Sequence, residues 1–467
     1  MAFFSDWGLI SAIAALGLYS LYWRVAASAQ NWLLLGASLA FSAAYDVRFA
    51  FVLLLSTLLD FWIGLHLDWE RPDIARTRWL WASIVLNIGL LTVFRVHRLW
   101  GGSSGSGPSE SLASEFAVSL GLSFYVLQRS THALDVYFRV LRPCRNLLQF
   151  STFVSFFPLL ASGPIERAVN ILPQLERPRR FDWQRFFASW WLIALGAFEK
   201  VFIADHCGEL ASALLKGDSG RLATVLGIYA YAFQLFADFA GYSDMARGAA
   251  GLFGIDVMQN FEAPYLSPNL SVFWQRWHIS LSSWLNDYVF RPSSTALRNW
   301  GALGTVCAAF LTFIVSGLWH GSGTTFLVWG ALHAAGISLF LVTKRARKRF
   351  KQRFPGAVSQ WLGVFLTFHF VCLCLVVFRA ANLSEAWHTF RQLGVHGQWH
   401  EEFRPYLAFV AVAGVAVIIL QALQLKHRSS AWIFQYPVWV RALCYTALLF
   451  CILMYPGPTG RFLYAEF

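Results

Sequence analysis

The sequence predicts an all-α polytopic membrane protein, and three observations predict it. Charged side chains make up 13% of the 467 residues, about half of the roughly 25% usual in a soluble domain. Hydrophobic residues make up 57%, with a mean hydropathy of +0.50. Apolar runs recur along the whole chain, separated by short basic loops. So few charges do not cover a water-facing surface, and so much hydrophobicity excludes a disordered chain. The seven cysteines are scattered and show no metal-type spacing, which excludes a disulfide-dense scaffold and reads them as small buried hydrophobes.

Runs long enough to cross a bilayer, or nearly so, fall near 7–23, 31–45, 49–66, 79–95, 112–128, 186–205, 221–240, 303–320, 325–342, 360–378, 405–422 and 438–455. Several are shorter than the ~20 residues of an upright span, which sets the expected count at about 11–12. Residues 1–6 carry no positive charge and the first run passes directly into Trp23-Arg24, so it reads as a first span and not as a cleaved leader. Arg24, Arg71/Arg76/Arg78, Arg139–Arg145, Arg177–Arg185 and Lys344–Arg353 fall on one side of this alternation. By the positive-inside rule that side is the cytoplasm and the N-terminus lies outside. The same rule accounts for the net charge of +12 without nucleic acid as a partner. Residues 344–353 hold seven cations and no acid. They read as a loop against anionic headgroups or as a site for an anionic cytosolic substrate. The 22 Trp and 15 Tyr suit two interfacial belts.

Two segments break the alternation. Residues 147–162 are apolar but flanked by basic loops on both sides, carry Pro158 and end in Ser162-Gly163-Pro164. A re-entrant segment resolves the topology, because irregular backbone at membrane depth has to be buried by protein. Residues 256–300 are Trp-rich, broken by Pro264, Pro268 and Pro292, and too polar to span, so they read as short helices at or dipping into the membrane. Gly101–Gly107 reads as a flexible outer loop. With no soluble domain and no transporter-type repeat, 1–467 reads as one membrane domain, with 256–342 as its core.

An ionisable group inside a membrane is a functional candidate because its burial is costly. His320 closes an apolar helix as Ser316-Gly317-Leu318-Trp319-His320-Gly321, where small residues allow another helix or a ligand chain to approach. His278 lies in Phe273–Ser282. Each reads as a general base for a hydroxyl or thiol, or as a buried structural histidine. His333 reads as facing the same cavity or as packing helices. Asp238 and Asp244 stand six residues apart beside apolar runs, and read as ion-paired with an arginine such as Arg247 or Arg276. No phosphate loop and no metal cluster is present in the pattern.

Taken in order, these stretches resemble the membrane-bound O-acyltransferase family, in particular its bacterial alginate O-acetyltransferase branch. The resemblance runs through Leu122–Tyr125, Asp135–Tyr137, Phe156–Pro158, Ser162–Arg167, Glu199–Val201, Ile203–Asp205, Asp238–Ala246 and Asn260-Phe261. It continues through Phe273–Ser282, Trp284–Tyr288, Ser316–Gly321, Trp329–His333, Phe378–Ala380 and Phe462–Phe467. The resemblance implies a ring of tilted helices around a thinned central funnel. It implies that His320 matches the family's catalytic histidine and His278 the second histidine of this branch. Three departures lie on the donor side: Gln275 and Asn286 stand where arginine is common, and Val289–Thr295 lacks a Gly-Gly turn.

The implied activity is transfer of an acetyl group from acetyl-CoA, a cytoplasmic acyl thioester, for O-acetylation of an extracytoplasmic polysaccharide. His320 would act as base or acyl relay, with Trp274, Arg276, Trp277, Trp319, Asp287, Tyr288 and Arg291 along the donor channel. A partner of the SGNH-hydrolase type would place the group on the polymer, from a position in the bacterial inner membrane. No resident cofactor or metal is expected, since exchange from a thioester needs mainly positioning and a base. The competing readings are D-alanyl or other acyl transfer from a carrier protein, and a transporter without chemistry.

Overall fold

The computed structural model describes residues 15–101, 121–217, 220–354, 356–396 and 403–458, and among them no strand is present. The expected loop after Gly101, the terminal Phe462–Phe467 motif, and parts of the runs at 7–23 and 112–128 lie outside the described residues. Among the described residues, seven helices are long and apolar enough to cross a membrane: Val47–His66, Trp183–Leu214, Gly220–Leu252, Arg298–His320, Thr324–Val342, Ala357–Arg379 and Arg404–His427. The runs near 31–45, 79–95 and 438–455 are helical as well, within Ala27–Tyr45, Asp73–Gly101 and Val438–Met454.

The chain divides into two compact units, residues 1–190 with 246–258 and residues 191–245 with 259–467. The first unit contains α1 (Ala27–Tyr45), α2 (Val47–His66), α3 (Asp73–Gly101), α4 (Leu122–Tyr137), α5 (Leu147–Ser155), α6 (Phe157–Leu160) and α7 (Ala168–Glu176). Its core gathers Leu34, Leu53, Phe150, Phe153, Phe156 and Leu160. The segment 147–162 forms α5 and α6, of nine and four residues, with the break at Phe156 and Pro158 opening α6. Neither reaches the ~20 residues of a span. Asn146 caps α5 by accepting from the Gln149 N–H at 3.2 Å.

Several polar groups buried in this unit pair with one another. Asp60 Oδ2 pairs with Arg129 Nε at 2.6 Å, and Asn87 Nδ2 donates to the same carboxylate. Arg179 is not a loop charge, although it belongs to the basic cluster 177–185. Its Nε donates to the Tyr22 hydroxyl and its Nη1 to Asn31 Oδ1, both at 2.8 Å. Glu166, fully buried, accepts from the Met258 and Arg167 backbone N–H groups and from Asn170 Nδ2.

Two helices lie across the division of the chain, α8 (Trp183–Phe198) and α10 (Gly220–Leu252). Between them come a π-helical stretch, Glu199–Ala204, and α9 (Asp205–Leu214). The rest of the second unit contains the short helices α11 (Leu270–Arg276), α12 (Ile279–Leu285) and α13 (Arg291–Ala296), with a π-helical stretch Asn286–Phe290. As expected for 256–300, none of these spans. Next come α14 (Gly301–His320), α15 (Thr324–Val342), the basic α16 (Lys344–Arg353), α17 (Ala357–Arg379), α18 (Leu383–Gln392), α19 (Phe403–His427) and α20 (Val438–Met454).

α14 and α15 form a hairpin whose backbones touch. A Cβ built on Gly317 would lie 2.4 Å from the Phe326 carbonyl oxygen, and one on Gly330 would lie 2.4 Å from that of Phe313. The small residues beside His320 therefore admit another helix, α15. Close backbone approach is how membrane helices gain packing when apolar burial no longer distinguishes protein from lipid. Replacing Gly317 or Gly330 by alanine is expected to lower stability by about 1–3 kcal/mol through overpacking. Gly36, with nothing within 4 Å of its built Cβ, serves as the control: Gly36→Ala should be neutral or slightly stabilising. Thermal unfolding of the purified protein in detergent checks the difference.

Candidate active site

His278 is placed by a sharp turn. α11 ends at Arg276, Trp277 is extended, and His278 takes the left-handed conformation at φ 44° as the N-cap of α12. That conformation costs a non-glycine residue about 1–2 kcal/mol and persists where the surroundings determine it. Asn260 provides that determination. Its carbonyl oxygen accepts from the Ile279 N–H at 2.8 Å, and its Oδ1 accepts from the Ser280 hydroxyl at 2.6 Å. Asn260 Oδ1 also lies 3.4 Å from His278 Nδ1, while Asn260 Nδ2 donates to Ser243 Oγ at 3.0 Å. The imidazole stands edge-on to Phe239, with centroids 4.6 Å apart. Burial, and then the charge of His320, push its pKa well below the ordinary histidine value. The neutral form, which has a lone pair to accept a proton, is therefore favoured at physiological pH.

His320 is the last residue of α14 and is buried. Trp319, Trp329 and Phe378 surround its ring at centroid distances of 4.8, 5.1 and 5.2 Å. Trp319 also reaches His278, at 5.9 Å, so one indole touches both imidazoles. Beside His320 lies a small cavity lined by Trp274, Trp277, Trp329, His333 and Phe378 among others. Among the described residues, Trp274 Nε1, Trp329 Nε1 and His333 Nδ1 are buried without a hydrogen-bond partner. Buried polar atoms are nearly always satisfied, so three orphans around one cavity mark it as a place for a ligand.

The structure gathers His320, Trp274 and Trp277 at this cavity and sets Trp319 against both histidines. His333 takes both sequence readings at once: it lines the cavity and sits 5.0 Å from Trp274 and 4.9 Å from Trp329. The proposed donor-side residues lie apart from the cavity lining. Arg291 Nη1 pairs with Asp287 Oδ1 at 3.3 Å on a partly exposed surface, Tyr288 packs on Trp284 at 5.2 Å, and Arg276 Nη1 lies 3.5 Å from the Leu266 carbonyl. Asp238 has a lysine partner that the sequence reading did not name. Lys200 Nζ bridges Asp238 Oδ1 at 2.7 Å and Asp205 Oδ1 at 2.6 Å, because the π-helical turn at 199–204 carries Lys200 to α10. Asp244 lines a second cavity with Glu199, Gln421 and Gln424, and Arg247 follows three residues later on α10. The role of Asn260 escaped the sequence reading, because beside Gln259 and Glu262 it looks like one more polar residue of a loop. No group of three or more His, Cys, Asp or Glu among the described residues is placed to hold a metal ion.

Residues 73–378 match the membrane-bound O-acyltransferase family. The chain belongs to that family. It is 33% identical over 391 residues, 81% of this chain and 75% of the relative, to the probable alginate O-acetylase AlgI of Azotobacter vinelandii. It is 29% identical over 392 residues, 76% of this chain and 72% of the relative, to the peptidoglycan O-acetyltransferase of Helicobacter pylori. Over 285 residues, 58% of this chain and 70% of the relative, it is 29% identical to the teichoic acid D-alanyltransferase of Bacillus subtilis. The chain is accordingly a multi-pass membrane acyltransferase.

Asn260 supports the His278 turn from both sides, so Asn260→Ala should destabilise the protein by about 1–3 kcal/mol, the cost of leaving Ser280 and Ser243 without their buried partner. Thermal unfolding with and without the substitution measures it.

Proposed function

We propose that this acyltransferase moves an acetyl group from acetyl-CoA, supplied at the cytoplasmic face, to a hydroxyl on the opposite side of the inner membrane, for O-acetylation of a polysaccharide. The reading rests on one observation above the rest: His320 faces an aromatic-walled cavity whose lining carries buried polar atoms in need of partners. The relatives named for O-acetylation of alginate and peptidoglycan favour acetyl over other acyl groups.

His320 accepts the proton of the acceptor hydroxyl as its oxygen attacks the thioester carbonyl. The C–S bond breaks and the proton passes to the departing thiolate, so no net proton is released. If the group is relayed, the imidazole nitrogen attacks first and a transient acyl-histidine carries it. His278 holds Trp319 and the channel around His320 in register, and the indoles of Trp274 and Trp277 wall the acyl path. The basic α16 and the Arg276 and Arg291 side chains lie where the anionic CoA approaches from the cytoplasm. The N-terminus is extracytoplasmic in this orientation. An extracytoplasmic partner of the SGNH-hydrolase type completes delivery to the polymer. The core of the reaction lies within 256–342, in a single membrane domain.

The test is release of free CoA thiol from acetyl-CoA by detergent-purified protein, with an oligosaccharide acceptor present. Wild type should release thiol, and His320→Ala should lose about 10²-fold or more, the range for removing a positioned general base. Equal release by both would remove His320 as catalyst. No release by wild type, with turnover of a D-alanyl carrier protein instead, would replace the acetyl donor by the D-alanyl one. Solute flux without thioester consumption would replace both by a transporter.

A further inference from the structure

No side chain that lines the His320 cavity carries an oxygen. The lining consists of three indoles, two imidazoles and hydrocarbon. Trp274 Nε1 and Trp329 Nε1 are buried, and neither has a hydrogen-bond partner among the described residues. An indole nitrogen donates and cannot accept. The cavity therefore brings together two N–H donors and offers them no side-chain oxygen. Leaving such donors unmet costs about 1–3 kcal/mol each, so an acceptor has to come from outside the fold.

The two donors are held in place from several sides. Trp329 stands edge to face against His320, with an interplanar angle of 85°, and Trp274 stands against Trp329 with centroids 5.9 Å apart. His333 packs on both indoles. Trp274 comes from α11, while Trp329 and His333 come from α15. Gly330, the residue after Trp329, touches the α14 backbone at Phe313, which ties α15 to the helix that ends in His320. Donors fixed in this way need no reorganisation when charge appears beside them.

The cavity has room for about one water-sized group. That excludes a sugar, a nucleotide or an acyl chain as its occupant and admits a single oxygen atom. Acyl transfer at His320 brings such an atom, the carbonyl oxygen of the thioester. It has two lone pairs for two donors, and it becomes negative when the carbon turns tetrahedral. Among aromatic walls, away from water, N–H donors stabilise that charge more than they do in bulk solvent.

We infer that Trp274 and Trp329 are catalytic residues whose indole N–H groups donate to the thioester carbonyl oxygen and form the oxyanion site beside His320. The inference deepens the acetyl-transfer reading of the same cavity and rests on it. The acceptor oxygen forms the new C–O bond, its proton goes to His320, and the carbonyl π pair moves onto the oxygen held by the two indoles. That pair returns to restore the carbonyl as the C–S bond breaks, and His320 passes the proton to the thiolate.

The test is the kcat and KM of thiol release by the full chain in detergent, with each indole changed separately. Trp274→Phe and Trp329→Phe remove the donor and part of the ring. Benzothienylalanine at either position keeps the shape of the indole and replaces its N–H by sulfur, so it decides the matter if a phenylalanine variant fails to fold. Each isostere should lower kcat by about 10²-fold, the loss of one oxyanion donor, and leave KM within about twofold. An indole that only walls the acyl path would keep its kcat with the isostere in place, and that result would overturn the inference. A rise in KM with kcat unchanged would overturn it too. Loss of activity in His320→Ala with none in the isosteres would spare the acetyl-transfer reading and refute the oxyanion site. The same kcat losses on a D-alanyl carrier thioester, with acetyl-CoA inert, would uphold the site and refute the acetyl donor.

Discussion

The site depends on two helices brought together until their backbones touch. Gly317 on α14 and Gly330 on α15 each leave room for a carbonyl oxygen where any side chain would collide. That contact sets the angle at which α14 ends, and α14 ends in His320. It also brings Trp329 and His333 on α15 alongside, so that two walls of the cavity come from one hairpin. In lipid, apolar burial does not hold such a hairpin, because hydrocarbon outside is as apolar as the interior. Close packing of small residues does, and it places a titratable ring where aromatic faces surround it.

A second constraint runs through the chain: polar groups buried at membrane depth need partners, and most here have them. Asp60 with Arg129, Asp238 with Lys200, and Glu166 with three N–H donors are of this kind. Such groups fix geometry and are unsuited to chemistry, because their lone pairs and protons are committed. Against that background the orphan nitrogens of Trp274, Trp329 and His333 stand together, because they line one cavity with the His320 imidazole.

Much of this was legible in the sequence, for reasons that differ by element. The spans were visible because length and hydropathy alone define them, and the non-spanning 147–162 and 256–300 because prolines and flanking charges contradict a crossing. His278 and His320 stood out by their Trp-rich and Gly-rich surroundings, and the family resemblance, not their chemistry alone, attached a role to them. What escaped was tertiary. A π-helical turn brings Lys200 to Asp238, and no periodicity announces it. Arg179 looked like one more loop cation until Tyr22 and Asn31, about 150 residues away, were seen to bury it. Asn260 was one residue of a motif, and its task of bracing a left-handed histidine from both sides depends on contacts 18 to 20 residues along the chain.

The central claim is that an acetyl group crosses the membrane through the cavity at His320. Reconstituting the protein into vesicles and supplying acetyl-labelled CoA on one side only, with an oligosaccharide acceptor confined to the other, tests it directly. Label on the acceptor with wild type, and none with His320→Ala, is the expected result. Label that appears only when donor and acceptor share a compartment, or that persists undiminished in His320→Ala, would contradict it.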